Sequence, residues 1–137
     1  MMTFEVKEKL IGDGIAVSEV RGIPILSDVG AKAAHPYGPS PAETIGNAFG
    51  SCVLINLQKL AEAHGIKFSG AEIKISIYRD ETIPKIVKLE YLLKIDTDAE
   101  DSKLELLNDL ALKYSTTYNT LKDSVQITGK AERANQE

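Results

Sequence analysis

A run of small and apolar residues with a cysteine in it, entered through a proline turn, limits this chain more than any other feature. It reads Gly38-Pro39-Ser40-Pro41-Ala42-Glu43-Thr44-Ile45-Gly46-Asn47-Ala48-Phe49-Gly50-Ser51-Cys52 and continues apolar to Leu57. Proline in a first helical turn loses no hydrogen bond, because that N–H has no acceptor within the helix. The pattern therefore predicts a helix from Pro41 to about His64, closed by Gly65. Its first half is nearly apolar all round, which implies burial rather than a place on a surface. Gly46, Ala48, Gly50 and Ser51 would let another backbone come close to the sulfur of Cys52. One small sheet does not comfortably cover such a helix, so a second copy of the chain is expected to complete its burial.

The rest of the chain alternates in two periods. Thr3 to Lys9, Ile15 to Val20 and Ile23 to Ser27 read as three short strands, joined by turns at Gly12-Asp13-Gly14 and Arg21-Gly22. Asp28 to Ser40 reads as a long loop carrying His35 and Tyr37, and loops of that length in compact domains are often functional. After the helix come strands at Ala71–Tyr78 and Ile86–Asp96, the second with Val87, Leu89, Tyr91, Leu93 and Ile95 on one face. Asp98 reads as a helix N-cap, followed by an apolar stripe of Leu104, Leu107, Leu110 and Ala111. Thr116 to Leu121 predicts a second short helix, Val125, Ile127 and Ala131 a last strand, and Arg133 to Glu137 a fraying end. The order βββ-α-ββ-αα-β predicts one α+β domain over residues 1–137, with antiparallel sheets around the long helix.

Composition excludes several function classes. The formal net charge is −4, and phosphate binding needs clustered Lys and Arg, so nucleic acid is not expected as a partner. No apolar run reaches the roughly 18 residues of a membrane span, and the N-terminus has no signal-peptide pattern. With 1 Cys and 2 His, neither an internal disulfide nor a typical zinc site is expected. The expectation is a cytoplasmic protein with no metal and no tightly bound cofactor.

The chemistry turns on Cys52. Only the thiolate is a nucleophile, and burial alone raises a thiol's pKa. An isolated buried cysteine is thus an inert small core residue unless a cation or hydrogen-bond donors reach it. The loop cations are Arg21, Lys32, His35 and Arg79. Arg21 is the most attractive, since a guanidinium stays charged and can pair with a carboxylate such as Glu43. Glu43 also suits a helix start for its charge alone. Nine residues of ideal helix turn through about 900°, which points Glu43 away from Cys52, so a shared site would need a loop or a partner chain as a bridge.

Pro39-Ser40-Pro41-Ala42-Glu43 followed by Ala48-Phe49-Gly50-Ser51-Cys52 resembles the OsmC/Ohr family. Lys113 to Leu121 is similar to that family's second cysteine motif, with Ser115 where the cysteine usually stands. The element order matches as well. The resemblance implies an intertwined homodimer with long helices at its middle and two sites between subunits. It also implies thiol-dependent reduction of organic hydroperoxides: a thiolate becomes a sulfenic acid, a second cysteine closes a disulfide, and an arginine and a glutamate hold the thiolate and the peroxide. Here Cys52, Arg21 and Glu43 would take those roles, with Ser115, His35 and Tyr37 around them. Three departures matter. Ser115 replaces the second cysteine, the acid of the peroxidase branches falls at Ala42, and the loop before the helix differs, leaving Arg21 as the candidate arginine. Two functions follow as expectations. One is a one-cysteine peroxidase resolved by an external thiol, with Ser115 donating a hydrogen bond to the sulfur. The other is a binding protein holding a hydrophobic or thiol-bearing metabolite, coenzyme A for example, beside Cys52.

Overall fold

The computed structural model describes residues 1–29 and 37–134. The chain divides into two compact units, Met1–Ile45 and Gly46–Glu137.

The first unit is an antiparallel meander of β1 (Lys7–Gly12), β2 (Ile15–Val20) and β3 (Ile23–Ser27), in that spatial order. Val20 pairs with Ile23, so Arg21 and Gly22 alone make the β2–β3 loop, at φ 52° and 80°. Two positive φ values in a two-residue loop match the right-handed twist of the strands they join, and glycine takes the second at no steric cost. β1 lies later than the alternation of Thr3 to Lys9 suggests. The turn sets the register from Gly12 opposite Ile15 back to Lys7 opposite Glu19, near the end of β2, so little of β2 is left to pair with Thr3–Val6. At the base of the following loop, Asp28 is buried and its carboxylate accepts the N–H groups of Val29 and Tyr37, the latter at 2.8 Å.

Helix α1 (Pro41–Ala63) begins in the first unit and continues through the second. Ser40 and Glu43 close its N-terminus reciprocally: Ser40 Oγ accepts the Glu43 N–H at 3.2 Å, and Glu43 Oε1 accepts the Ser40 N–H at 3.0 Å. Two otherwise unsatisfied donors are thereby paired, as a capping box requires. Gly65, at φ 64°, follows the helix where the sequence places its end.

In the second unit, β4 (Gly70–Arg79), β5 (Ile86–Asp96) and β6 (Gln126–Arg133) form a sheet in the order β4-β5-β6. The expectation of antiparallel sheets holds for β4 with β5 and fails for β6, which runs parallel to β5. The cause is the connection. Helices α2 (Asp101–Lys113) and α3 (Thr116–Leu121) lie between the two strands, and a long helical crossover returns the chain in the same direction. Leu89, Tyr91, Leu93 and Ile95 of β5 are buried, together with Leu104, Leu107 and Ala111 of α2 and Phe49, Val53, Leu57 and Ala61 of α1. Phe49 and Tyr91 meet with ring centroids 5.6 Å apart and planes tilted by 59°. Gly46 and Gly50 allow the close approach of α1 to β4: a Cβ on Gly46 would stand 2.5 Å from Ile77 Cδ1, and one on Gly50 2.8 Å from Ile75 Cδ1.

Two end assignments differ from expectation. Asp98 is not the α2 cap: the helix starts after Glu100, and the Thr97 hydroxyl accepts the Ala99 N–H at 3.2 Å. Arg133 does not fray. Its guanidinium pairs with Asp101 at 2.6 Å and donates to the Ala99 carbonyl at 3.0 Å, tying the end of β6 to the start of α2. The remaining terminal residues, 135–137, lie outside the described residues. Within the single chain α1 buries one face only: Ile45, Ala48 and Ile55 are exposed, Ile55 at 55%.

Candidate functional site

Cys52 sits one turn after Ala48 on α1, half-buried and free. Sixty-three residues later in the chain, Ser115 donates its hydroxyl to Cys52 Sγ at 3.2 Å. The junction of α2 and α3 explains why a serine stands there. Ser115 is the N-cap of α3, and its Oγ accepts the Tyr118 N–H at 3.0 Å, the capping bond a serine forms readily. Its side chain is wholly buried, and Thr117 Oγ1 lies 3.1 Å from it. Burial pushes the Cys52 thiol pKa up. The Ser115 hydroxyl, the Thr117 N–H and hydroxyl and the Thr116 N–H outweigh it and bring the pKa below its ordinary value. Donors aimed at a sulfur favour its charged form, whatever the burial.

Asn56, the next turn of α1, adds a residue that sequence reasoning passed over. Its Nδ2 donates to the Ala111 carbonyl at 3.1 Å, so α1 and the last turn of α2 are fastened beside the sulfur. A lone amide within an otherwise apolar helical stretch was the available signal, four residues after the cysteine. Thr117 was likewise missed, because a threonine after a serine cap reads as helix start alone.

The remaining candidate residues are Arg21, Glu43, Tyr37 and His35. Arg21 is exposed at the tip of the β2–β3 turn. Glu43 is exposed, and its carboxyl pKa is lowered by the Ser40 backbone N–H and then by the Ser40 side chain. Tyr37 is exposed, with its N–H on Asp28. All three belong to the Met1–Ile45 unit, whereas Cys52 and Ser115 belong to Gly46–Glu137. His35 lies outside the described residues. Of the candidates, the structure brings Cys52 and Ser115 together. Among the described residues no group of three His, Cys, Asp or Glu side chains is arranged to hold a metal ion. A groove walled by Leu54, Gln58, Ile66, Phe68 and Ala71 opens toward the far end of α1 and does not include Cys52. No helix among the described residues is long and apolar enough to cross a membrane.

A family model described as OsmC-like protein matches residues 33–130, a span that contains α1, Cys52 and Ser115. The chain belongs to the OsmC-like family. Solved members share the fold at low identity. The OsmC-like protein of Mycoplasma pneumoniae is 14% identical with a TM-score of 0.88, over 96% of this chain and 97% of that one. The organic hydroperoxide resistance protein OhrB of Bacillus subtilis is 17% identical with a TM-score of 0.71, over 96% and 98%. An organic hydroperoxide resistance protein OsmC of Legionella pneumophila is 14% identical with a TM-score of 0.72, over 96% and 99%. No curated protein sequence matches the chain. At these identities the likeness to OsmC-like structures concerns the fold, and the chemistry has to be argued from the side chains of this chain.

Proposed function

We propose that this OsmC-like chain reduces hydroperoxides through Cys52 alone, with an external thiol in place of a second cysteine. The observation that carries the reading is the Ser115 hydroxyl donating to Cys52 Sγ at 3.2 Å, in a setting that lowers the thiol pKa despite burial. In the reaction the Cys52 thiolate attacks the distal peroxide oxygen. The O–O bond breaks, the leaving alkoxide takes a proton to become an alcohol, and Cys52 is left as sulfenic acid. One low-molecular-weight thiol condenses with the sulfenic acid, releasing water and forming a mixed disulfide. A second thiol then exchanges into that disulfide, returning the Cys52 thiol and leaving the small disulfide. The chain has a single cysteine, so no internal disulfide competes with these steps.

In this reading Arg21 and Glu43 are the charged helpers, and His35 and Tyr37 take binding roles around them. The working unit is a homodimer, supported by the exposed Ile55 and Ala48 on the outer face of α1, which a second copy would cover. A thiol that must return to its reduced state suits the reducing cytoplasm.

The test is intact mass of the reduced protein titrated with cumene hydroperoxide and with hydrogen peroxide. The expected result is rapid, stoichiometric gain of one oxygen, faster with the organic peroxide and absent in Cys52→Ser. A thiol left unchanged by both peroxides would overturn it. An adduct mass on Cys52 in the untreated protein would instead favour a binding protein for a thiol-bearing metabolite such as coenzyme A, a reading favoured by the lack of a second sulfur in the chain's cysteine motif at Ser115.

A further inference from the structure

Ser115 makes more contacts through its hydroxyl than sequence reasoning assigned to it, and counting its hydrogens identifies another residue. A serine hydroxyl has one hydrogen to donate and two lone pairs to accept with. One lone pair is committed to the Tyr118 N–H at 3.0 Å. The two other neighbours are Cys52 Sγ at 3.2 Å and Thr117 Oγ1 at 3.1 Å. With Ser115 wholly buried, no water competes for the remaining lone pair and the one hydrogen. Only two arrangements satisfy every partner. Either the Cys52 thiol donates to Ser115 and Ser115 donates to Thr117, or Thr117 donates to Ser115 and Ser115 donates to the Cys52 sulfur, the arrangement that a thiolate, having no hydrogen, requires.

We propose that Thr117 and Ser115 form a hydroxyl relay that reverses direction when Cys52 ionises, making Thr117 a positioning residue for the thiolate. It acts through Ser115: by donating to the Ser115 oxygen it leaves the Ser115 hydrogen free for the sulfur. A chain of like-directed hydrogen bonds polarises each of its links, so the bond at the sulfur is stronger with Thr117 in place than without it. The proton of Cys52 leaves to solvent, which the half-buried sulfur can meet, and the two hydroxyls only rotate. The donors that favour the charged sulfur, Ser115, Thr117 and Thr116, are all uncharged. The titratable side chains on α2 and α3 nearest in sequence are Lys113, Tyr114 and Tyr118, with Lys113 over the Tyr114 ring and Lys122 over the Tyr118 ring. On α1 they are Glu43, nine residues before Cys52, and Lys59 and Glu62, two turns or more beyond it. The functional meaning of the relay rests on Cys52 being the reactive thiol proposed above. Its existence does not depend on peroxide.

The experiment is the rate of Cys52 alkylation by iodoacetamide across a pH series, on the full chain and without peroxide. Thr117→Val keeps the shape and removes the hydroxyl while leaving the Ser115 cap in place. Alkylation of this variant near pH 7 is expected to be slower by about three- to tenfold, the loss of part of one hydrogen bond to a charged group. At high pH, where every thiol is ionised, its rate should rejoin that of the unmodified chain. Thr117→Ser should restore the profile, and Thr117→Val should have a smaller effect in a Ser115→Ala background than in the unmodified chain. Coincident profiles for Thr117→Val and the unmodified chain would overturn the relay, as would a Thr117→Ser variant as slow as Thr117→Val. A chain inert to peroxide that still shows the Thr117 shift retains the relay and removes only the peroxidase reading.

Discussion

Asn56 donates its side-chain amide to the backbone carbonyl of Ala111 across 3.1 Å, one helical turn beyond Cys52. The bond joins two helices through residues 55 positions apart in the chain. It holds the last turn of α2, and the serine that follows, against the face of α1 that carries the sulfur.

Replacing Asn56 by Leu removes that donor and leaves the Ala111 carbonyl to find another partner. A loss of about 1–2 kcal/mol is expected, read as a lower urea midpoint at unchanged slope. Because Ser115 stands two residues past the end of α2, the alkylation profile of Cys52 should also move toward that of an ordinary thiol. A stability loss with an unmoved profile would mean that Asn56 holds the helices without positioning the sulfur.

Phe49 tests the core beneath the site. It is wholly buried and lies against Tyr91. Phe49→Ala should cost about 3–5 kcal/mol, the transfer loss and the cavity together. Chemical denaturation measures it, and a cost under about 1 kcal/mol would place the Phe49 ring outside the core.

Ser115→Ala removes a helix cap and a thiolate donor in one step. The cap alone is worth about 1 kcal/mol. The thiol pKa should rise, because burial, the largest influence on it, acts upward and is then opposed by fewer donors. At neutral pH less thiolate is present, so alkylation and peroxide consumption should both slow. Ser115→Cys supplies instead the missing second sulfur. Peroxide treatment of that variant should close a disulfide between Cys52 and the introduced thiol, seen as a loss of two hydrogens by intact mass.

Glu43 gives a pH dependence whose sign is fixed by its capping bonds. Its carboxyl pKa is lower in the folded chain than its usual value, through the Ser40 backbone N–H first and the Ser40 side chain second. The ionised form therefore favours folding. Its contribution is complete above the ordinary carboxyl range and is lost as pH falls through the folded value. Relative to Glu43→Gln, which keeps an acceptor for the box and cannot ionise, the unmodified chain should hold a small advantage at neutral pH that disappears on acidification. Thermal unfolding of both chains over an acid-to-neutral pH series reads it.

Local patterns made much of the fold legible. The bounds of β5 at Ile86 and Asp96 follow from alternation, and those of α3 at Thr116 and Leu121 from the serine that caps it. The direction of β6 was not legible, because period-two alternation is the same for parallel and antiparallel pairing. Only the helical crossover decides it. Asp98 has a capping residue's chemistry, but the Thr97 hydroxyl, which also donates to the Lys67 carbonyl at 2.6 Å, takes the nearby N–H and the helix starts later. At the site, Cys52 and Ser115 stood out through their motifs. Asn56 and Thr117 did not: the partner of Asn56 lies far along the chain, and so does the sulfur that Thr117 acts on.

The crossover that sets β6 parallel to β5 also orders events in time. A ribosome releases Cys52 long before Ser115, and the segment bearing Ser115 leads on to β6, the strand that the crossover returns beside β5. Until Ser115, Thr116 and Thr117 have been made, the sulfur of a growing chain lacks the donors that lower its pKa. The nascent chain thus carries Cys52 through much of its synthesis without the groups that favour its charged form.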